Sequence, residues 1–119
     1  MIFVVDDEPL IASTTATILQ LNGLEARSLV NPVEMLEAVR SIEPDLVLAD
    51  VIMLGLSGID LAVRLRQKCP TCKILLFSGQ TVTVDLLEAA RQKGHDFEVL
   101  AKPIPPTNLI ARIKEMAEF

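Results

Sequence analysis

Apolar residues fall into short unbroken runs separated by longer stretches in which they recur every three or four positions. The runs are IFVV at 2–5, LVLA at 46–49, ILLF at 74–77 and VLA at 99–101. Such runs suit strands buried on both faces, as in a parallel sheet. The stretch 24–29 (LEARSL) is more polar and predicts an edge strand. Between these lie helical patterns. One covers Leu10 to Leu21 and stops at Asn22-Gly23, where glycine can supply the left-handed residue that ends a helix. Asn31-Pro32-Val33-Glu34 predicts a helix start, with a capping Asn, Pro in the first turn and Glu three residues after the cap. Leu36, Val39 and Ile42 continue it as an apolar stripe, and Pro44 ends it. Ser57-Gly58-Ile59-Asp60 opens a third helix, Thr83 to Lys93 makes a fourth that closes at Gly94, and Pro105-Pro106-Thr107 opens a fifth with Leu109, Ile113 and Met116 on one face.

The predicted order is βαβαβαβαβα. Alternation with short connections predicts an α/β sheet with right-handed crossovers. Five strands and five helices suggest a doubly wound, flavodoxin-like parallel sheet of order 2-1-3-4-5, occupying residues 1–119 as one domain. Ligands on such sheets bind beyond the carboxyl ends of the strands. Asp6 and Asp7 follow the first run, Asp50 the third, Ser78 the fourth and Lys102 the fifth. In that order these five residues should meet at one edge.

Charge sharpens the picture. Two carboxylates ~5 Å apart repel by ~3 kcal/mol at an effective dielectric of about 20, and three mutual pairs approach ~10 kcal/mol before screening. Such a pocket predicts a retained proton or a bound cation. A hard dication such as Mg²⁺ takes carboxylate oxygens together with water and substrate phosphate. Lys102 can neutralise a phosphate oxygen and Ser78 can donate to one, which is the positioning and charge stabilisation that phosphoryl transfer needs. Asp50, on the central strand, is then the natural nucleophile.

Composition excludes other classes. Eleven basic and sixteen acidic residues give a net charge of −5, and Trp and Tyr are absent, so neither phosphate-backbone binding nor base stacking is expected. No apolar run approaches the ~20 residues of a membrane span, and Met1-Ile2-Phe3 lacks the basic start of a secretory signal, so a cytoplasmic location is expected. The pair in Cys69-Pro70-Thr71-Cys72 follows a helix and precedes a strand, unlike a redox centre, and His95 is too distant in sequence to complete a zinc site. Reduced thiols in a turn are expected.

Taken together, VVDDEP at 4–9, LVLADVIMLGLSGIDLA at 46–62, LLFSG at 75–79 and LAKPI at 100–104 resemble the response-regulator receiver domain of two-component signalling. The resemblance covers essentially the whole chain. It implies that Asp50 accepts a phosphoryl group from a histidine kinase or phosphotransfer protein and later loses it by autodephosphorylation. It implies Mg²⁺ held by Asp7, Asp50 and the backbone carbonyl of Ile52, with Asp6 acting largely through water. Ser78 and Lys102 would bind phosphoryl oxygens, Gly79 would leave room for them, and the Lys102-Pro103 bond would be cis. Partners near helix 1 and the loop after the fifth strand are implied, and the charge-free stretch from Pro9 to Leu24 suits close docking. A downstream protein partner follows from the same resemblance, and the mixed charges of the last helices suit either a homodimer face or ordinary solvation.

Three features set the chain apart within the family pattern. Leu54 stands where Pro is usual, Val99 stands where Tyr or Phe is usual, and the pair Ile52 and Gln80 flanks the attack path. Phe97 lies on the same predicted strand face as Val99, two residues away. Val99 and Leu54 give weight to a second reading, a phosphorylation-independent interaction module on the same fold, and the intact set of Asp6, Asp7, Asp50, Ser78 and Lys102 weighs against it. A dehalogenase-like phosphatase would need Asp-x-Asp after the first strand, and a flavodoxin would need a hydroxyl-rich loop there; Asp6-Asp7-Glu8 is neither.

Overall fold

In the computed structural model all residues are described except 52, 54, 55, 79–82, 96, 103, 118 and 119. The strands are β1 (Ile2–Val5), β2 (Ala26–Leu29), β3 (Leu46–Asp50), β4 (Lys73–Ser78) and β5 (Glu98–Ala101). The helices are α1 (Pro9–Leu21), α2 (Pro32–Ala38), α3 (Gly58–Lys68), α4 (Thr83–Gln92) and α5 (Pro106–Ala117). The strands form one parallel sheet in the order β2-β1-β3-β4-β5, as the alternation predicts.

Alternation along each strand divides the core into two layers. Phe3, Val5, Val47, Ala49, Ile74 and Leu76 face α2, α3 and α4, where they meet Met35, Leu61, Leu65 and Ala90. Ile2, Val4, Leu46, Leu48 and Leu75 face α1 and α5, where they meet Ala16, Leu19, Leu109 and Ile113. This is why the runs at 2–5 and 46–49 are apolar at every position: both faces are covered. Truncating a side chain such as Leu65, which is fully buried, costs about 2–5 kcal/mol.

The helix starts follow their sequence signals. Asn31 Oδ1 accepts from Val33 N at 2.8 Å, and Ser57 Oγ accepts from Asp60 N at 3.1 Å. Two boundaries differ from the pattern. The second strand begins at Ala26 rather than Leu24, because Gly23 (φ +81°) turns the chain and Leu24 N bonds back to Leu19 O, burying the Leu24 side chain. The second helix ends at Ala38; the residues approaching Pro44, which disfavours helical backbone before it, continue in tight turns. Ile42 still packs on the core from that turn.

Candidate functional site

The sheet order brings the carboxyl ends of β1, β3, β4 and β5 side by side. Asp6 follows β1 directly, Asp50 closes β3, Ser78 closes β4 and Lys102 follows β5. Ladder bonds continue past the strand ends and fix this backbone. Asp6 N donates to Leu29 O at 3.1 Å, Val51 N to Phe77 O at 2.9 Å and Lys102 N to Ser78 O at 2.9 Å.

Lys102 Nζ lies 2.7 Å from Asp50 Oδ2 and 3.9 Å from Asp6 Oδ2, reaching across β4 to both acids. Asp6 is buried, at 4% exposure, although it is an acid. Its Oδ1 accepts from Glu8 N at 3.0 Å, in the turn that leads into α1. Burial pushes the Asp6 carboxyl above its ordinary value, and Asp50 and Asp7 push the same way. The Glu8 N–H and the Lys102 ammonium oppose them without prevailing. Ser78 is buried as well.

The acids therefore meet as the sequence predicts, with one difference. Part of the compensating positive charge is already present as Lys102. Among the described residues no cluster of three His, Cys, Asp or Glu is close enough to chelate a metal ion unaided. A magnesium ion needs no such cage, since it is commonly held by one or two carboxylates, with water and phosphate completing the shell. The hard oxygen donors of Asp6, Asp7 and Asp50 fit it, and Asp50 and Asp7 both act on the Asp6 carboxyl as like charges that a cation would relieve. Ile52, Leu54, Gly79, Gln80 and Pro103, which the resemblance also singles out, lie outside the described residues.

One contact escapes a reading of motifs. Gly58 N donates to Val51 O at 2.8 Å, and a Cβ on Gly58 would stand 2.2 Å from the carbonyl oxygen of Asp50. The start of α3 thus presses against the backbone of Asp50, and only glycine fits. In the sequence this residue stands in the helix start Ser57-Gly58 and inside the motif at 46–62, and neither pattern names the contact.

Around the pocket, α1 is indeed uncharged, with Leu10 and Ile11 exposed. A recess of about 150 Å³ between α1 and α5 is lined by Ile11, Thr15, Phe77 and Leu109 together with Asp6 and Lys102. On β5, Val99 is half-buried. Val99 and Phe97 pack into the same core layer, as the expected strand face requires. The Phe97 ring is buried, with the Arg66 guanidinium 4.3 Å from its centroid and the His95 ring stacked at 6.2 Å. His95 therefore packs on an aromatic ring rather than serving only as a polar loop residue. Cys69 and Cys72 are buried and unbridged, in the turn joining α3 to β4.

The site is an acid-and-lysine pocket at the carboxyl edge of a doubly wound parallel sheet, and similarity to known proteins assigns the chain to a family. The family model described as "Response regulator receiver domain" matches residues 2–114, and the chain belongs to that family. It is 33% identical over 113 residues to the DNA-binding response regulator MtrA of Mycolicibacterium smegmatis, covering 95% of this chain and 48% of that protein. The chain thus spans about half the length of the curated relatives it matches. The receiver domain of NtrX from Brucella abortus superposes with a TM-score of 0.85 at 28% identity, covering 99% of this chain and 98% of that one. The Thermotoga maritima response regulator TrrA, solved in complex with Mg²⁺–BeF, gives a TM-score of 0.82 at 30% identity, covering 97% and 96%. Among the described residues no helix is long and apolar enough to cross a membrane.

Proposed function

We propose that residues 1–119 form one receiver unit that takes a phosphoryl group onto Asp50 from a phosphohistidine on a histidine kinase or phosphotransfer protein. The observation that carries this is the Lys102–Asp50–Asp6 grouping at the carboxyl edge. An Asp50 carboxylate oxygen attacks phosphorus, the P–N bond breaks, and the leaving imidazole keeps the bond's electron pair and takes up a proton. The product is an acyl phosphate. Water attacking the same phosphorus later returns the Asp50 carboxylate and inorganic phosphate.

Each side chain has a role in that exchange. Lys102 holds the nucleophilic carboxylate beforehand and remains beside the oxygens that receive charge afterwards. Ser78, at the end of the neighbouring strand, supplies a hydroxyl to a phosphoryl oxygen. Asp6 and Asp7, with Asp50 and the Ile52 carbonyl, would hold Mg²⁺, which supplies charge neutralisation on the transferring group. The similarity to TrrA, solved with Mg²⁺–BeF, supports that choice of ion. Because Lys102 is tied to β5, a change of charge on Asp50 is felt there, and this biases the surface offered to a downstream partner or a second copy. A cytoplasmic location fits this role. The DNA-binding description of MtrA concerns a protein twice as long; the acidic unit described here has no assigned contact with nucleic acid.

One observation favours a second reading, an interaction module that works without phosphorylation. Val99 replaces the ring that usually responds to the phosphoryl group, and Phe97 is buried in contact with Arg66 and His95. Incubation with phosphoramidate and Mg²⁺ separates the two. Stoichiometric labelling of wild type but not Asp50→Asn supports the phosphoacceptor, and an unlabelled wild type supports the module.

A further inference from the structure

Among the described residues the exposed large apolar side chains are Leu10, Ile11, Leu21, Val30 and Val33. Four of these border the acidic edge. Leu10 and Ile11 stand on the first turn of α1, on the side already associated with docking. Val30 and Val33 stand on the opposite side, in the connection from β2 and the first turn of α2, and are 43% and 57% exposed. They line an open cleft of about 530 Å³ together with Pro32, Leu56 and Asp7.

We infer that this Val30–Val33–Leu56 shelf is a second docking surface for the protein that donates the phosphoryl group; the inference rests on the phosphoacceptor reading above. Asp7 lines the shelf and is the sequence neighbour of Asp6, so the shelf begins one residue from the pocket. A phosphohistidine can reach Asp50 only if its protein closes over the carboxyl edge, and doing so brings it against the rim on this side as well as on the α1 side. Folding does not require an exposed β-branched residue in the first turn of α2: the cap there is made by Asn31, and the buried contacts by Pro32, Met35 and Leu36. The patch is two valines and a leucine wide, far short of the ~1,200 Å² or more of a stable dimer, and suits a contact that must form and break at each transfer. Glu34 beside it favours an occupant that offers an apolar side chain flanked by Lys or Arg, on the turn next to its phosphohistidine.

The test compares two phosphodonors. The protein donor is the phosphorylated catalytic core of whichever sensor kinase of the source genome labels the wild-type chain fastest. The small donor is phosphoramidate, which needs no docking. Val33→Ser should lower kcat/KM for transfer from the kinase by about tenfold, and Val30→Ser/Val33→Ser by about a hundredfold. Both should leave phosphoramidate labelling unchanged, which also certifies that the fold survives. Leu21→Ser, which removes an even more exposed apolar side chain at the far end of α1, should leave both reactions unchanged. Kinase transfer that ignores the valines overturns the inference, as does a wild type that phosphoramidate labels and no kinase does. A loss of self-association on substituting Val33, with kinase transfer intact, overturns it in favour of a second copy as occupant. Failure of phosphoramidate to label wild type is a different result, because it removes the phosphoacceptor reading itself.

Discussion

Lys102 Nζ donates to Asp50 Oδ2 at 2.7 Å, joining the residue after β5 to the last residue of β3 across the intervening strand. The bond sets a positive charge directly against the acid at the end of the central strand, beside Asp6. It also ties the chemistry to an edge strand. Lys102→Met should slow phosphoramidate labelling by roughly 10²–10³-fold, the usual loss for one well-placed electrostatic group. The same variant should bind Mg²⁺ more tightly than wild type by calorimetry, because the competing positive charge is gone. Unchanged labelling would mean that the ion pair is merely structural.

Asp6 predicts a pH effect with a definite sign. Its folded carboxyl titrates above the ordinary value of 3.8, chiefly because it is buried. Between that value and the raised one the native state holds the proton that the unfolded state has released, so stability falls as pH rises through the window. Above the window the buried charge is a standing cost. Asp6→Asn should therefore unfold at higher temperature than wild type at neutral pH in metal-free buffer, and the gap should close below about pH 3.8. Thermal melts followed by circular dichroism across this range check it; a variant less stable at neutral pH contradicts the burial argument.

Gly58→Ala would push a methyl group into the Asp50 carbonyl, where a Cβ stands only 2.2 Å away. The opposing atoms are backbone and cannot swing aside. The expected cost is about 2–3 kcal/mol, from overpacking at a rigid contact. Labelling should slow as well, because α3 and the backbone carrying the nucleophile must move apart. Denaturant unfolding and phosphoramidate labelling of the same preparation measure the two effects.

Burial pushes the Cys72 thiol up to about 12, with Cys69 adding to the shift. At about pH 8 the native protein should react slowly with a thiol reagent and release both thiols only on unfolding. Above the ordinary value of 9.0 the unfolded thiol ionises first, so this residue lowers stability progressively between 9.0 and about 12. Fast modification of both cysteines in the native state would contradict the buried placement.

Fold and site were legible to different depths. The doubly covered strands announced themselves because IFVV and LVLA must be apolar on both faces, and five strands alternating with five helices suggested the doubly wound order that the sheet adopts. Boundaries were less legible: Ile42 sits on the predicted stripe but reaches the core from a turn, since a stripe records which side faces inward and not whether the backbone is helical. In the site, the convergence of Asp6, Asp50, Ser78 and Lys102 could be read from their places at strand ends. The pairing of Lys102 with Asp50 could not, because motif spacing does not say where a long flexible side chain settles. Gly58 was hidden for another reason: its role is a backbone approach between distant segments, which leaves no pattern beyond the glycine itself. Phe97 was placed on the right face, but the Arg66 guanidinium over its ring comes from α3, a contact only the tertiary structure makes.

The most direct test is intact-protein mass spectrometry after incubation with phosphoramidate and Mg²⁺. Wild type should gain the mass of one phosphoryl group, lose it again in acyl-phosphate-cleaving hydroxylamine, and gain nothing when chelator replaces Mg²⁺; Asp50→Asn should gain nothing under any condition. An unlabelled wild type, or an Asp50→Asn variant labelled as fully as wild type, would contradict the assignment of Asp50 as the phosphoacceptor.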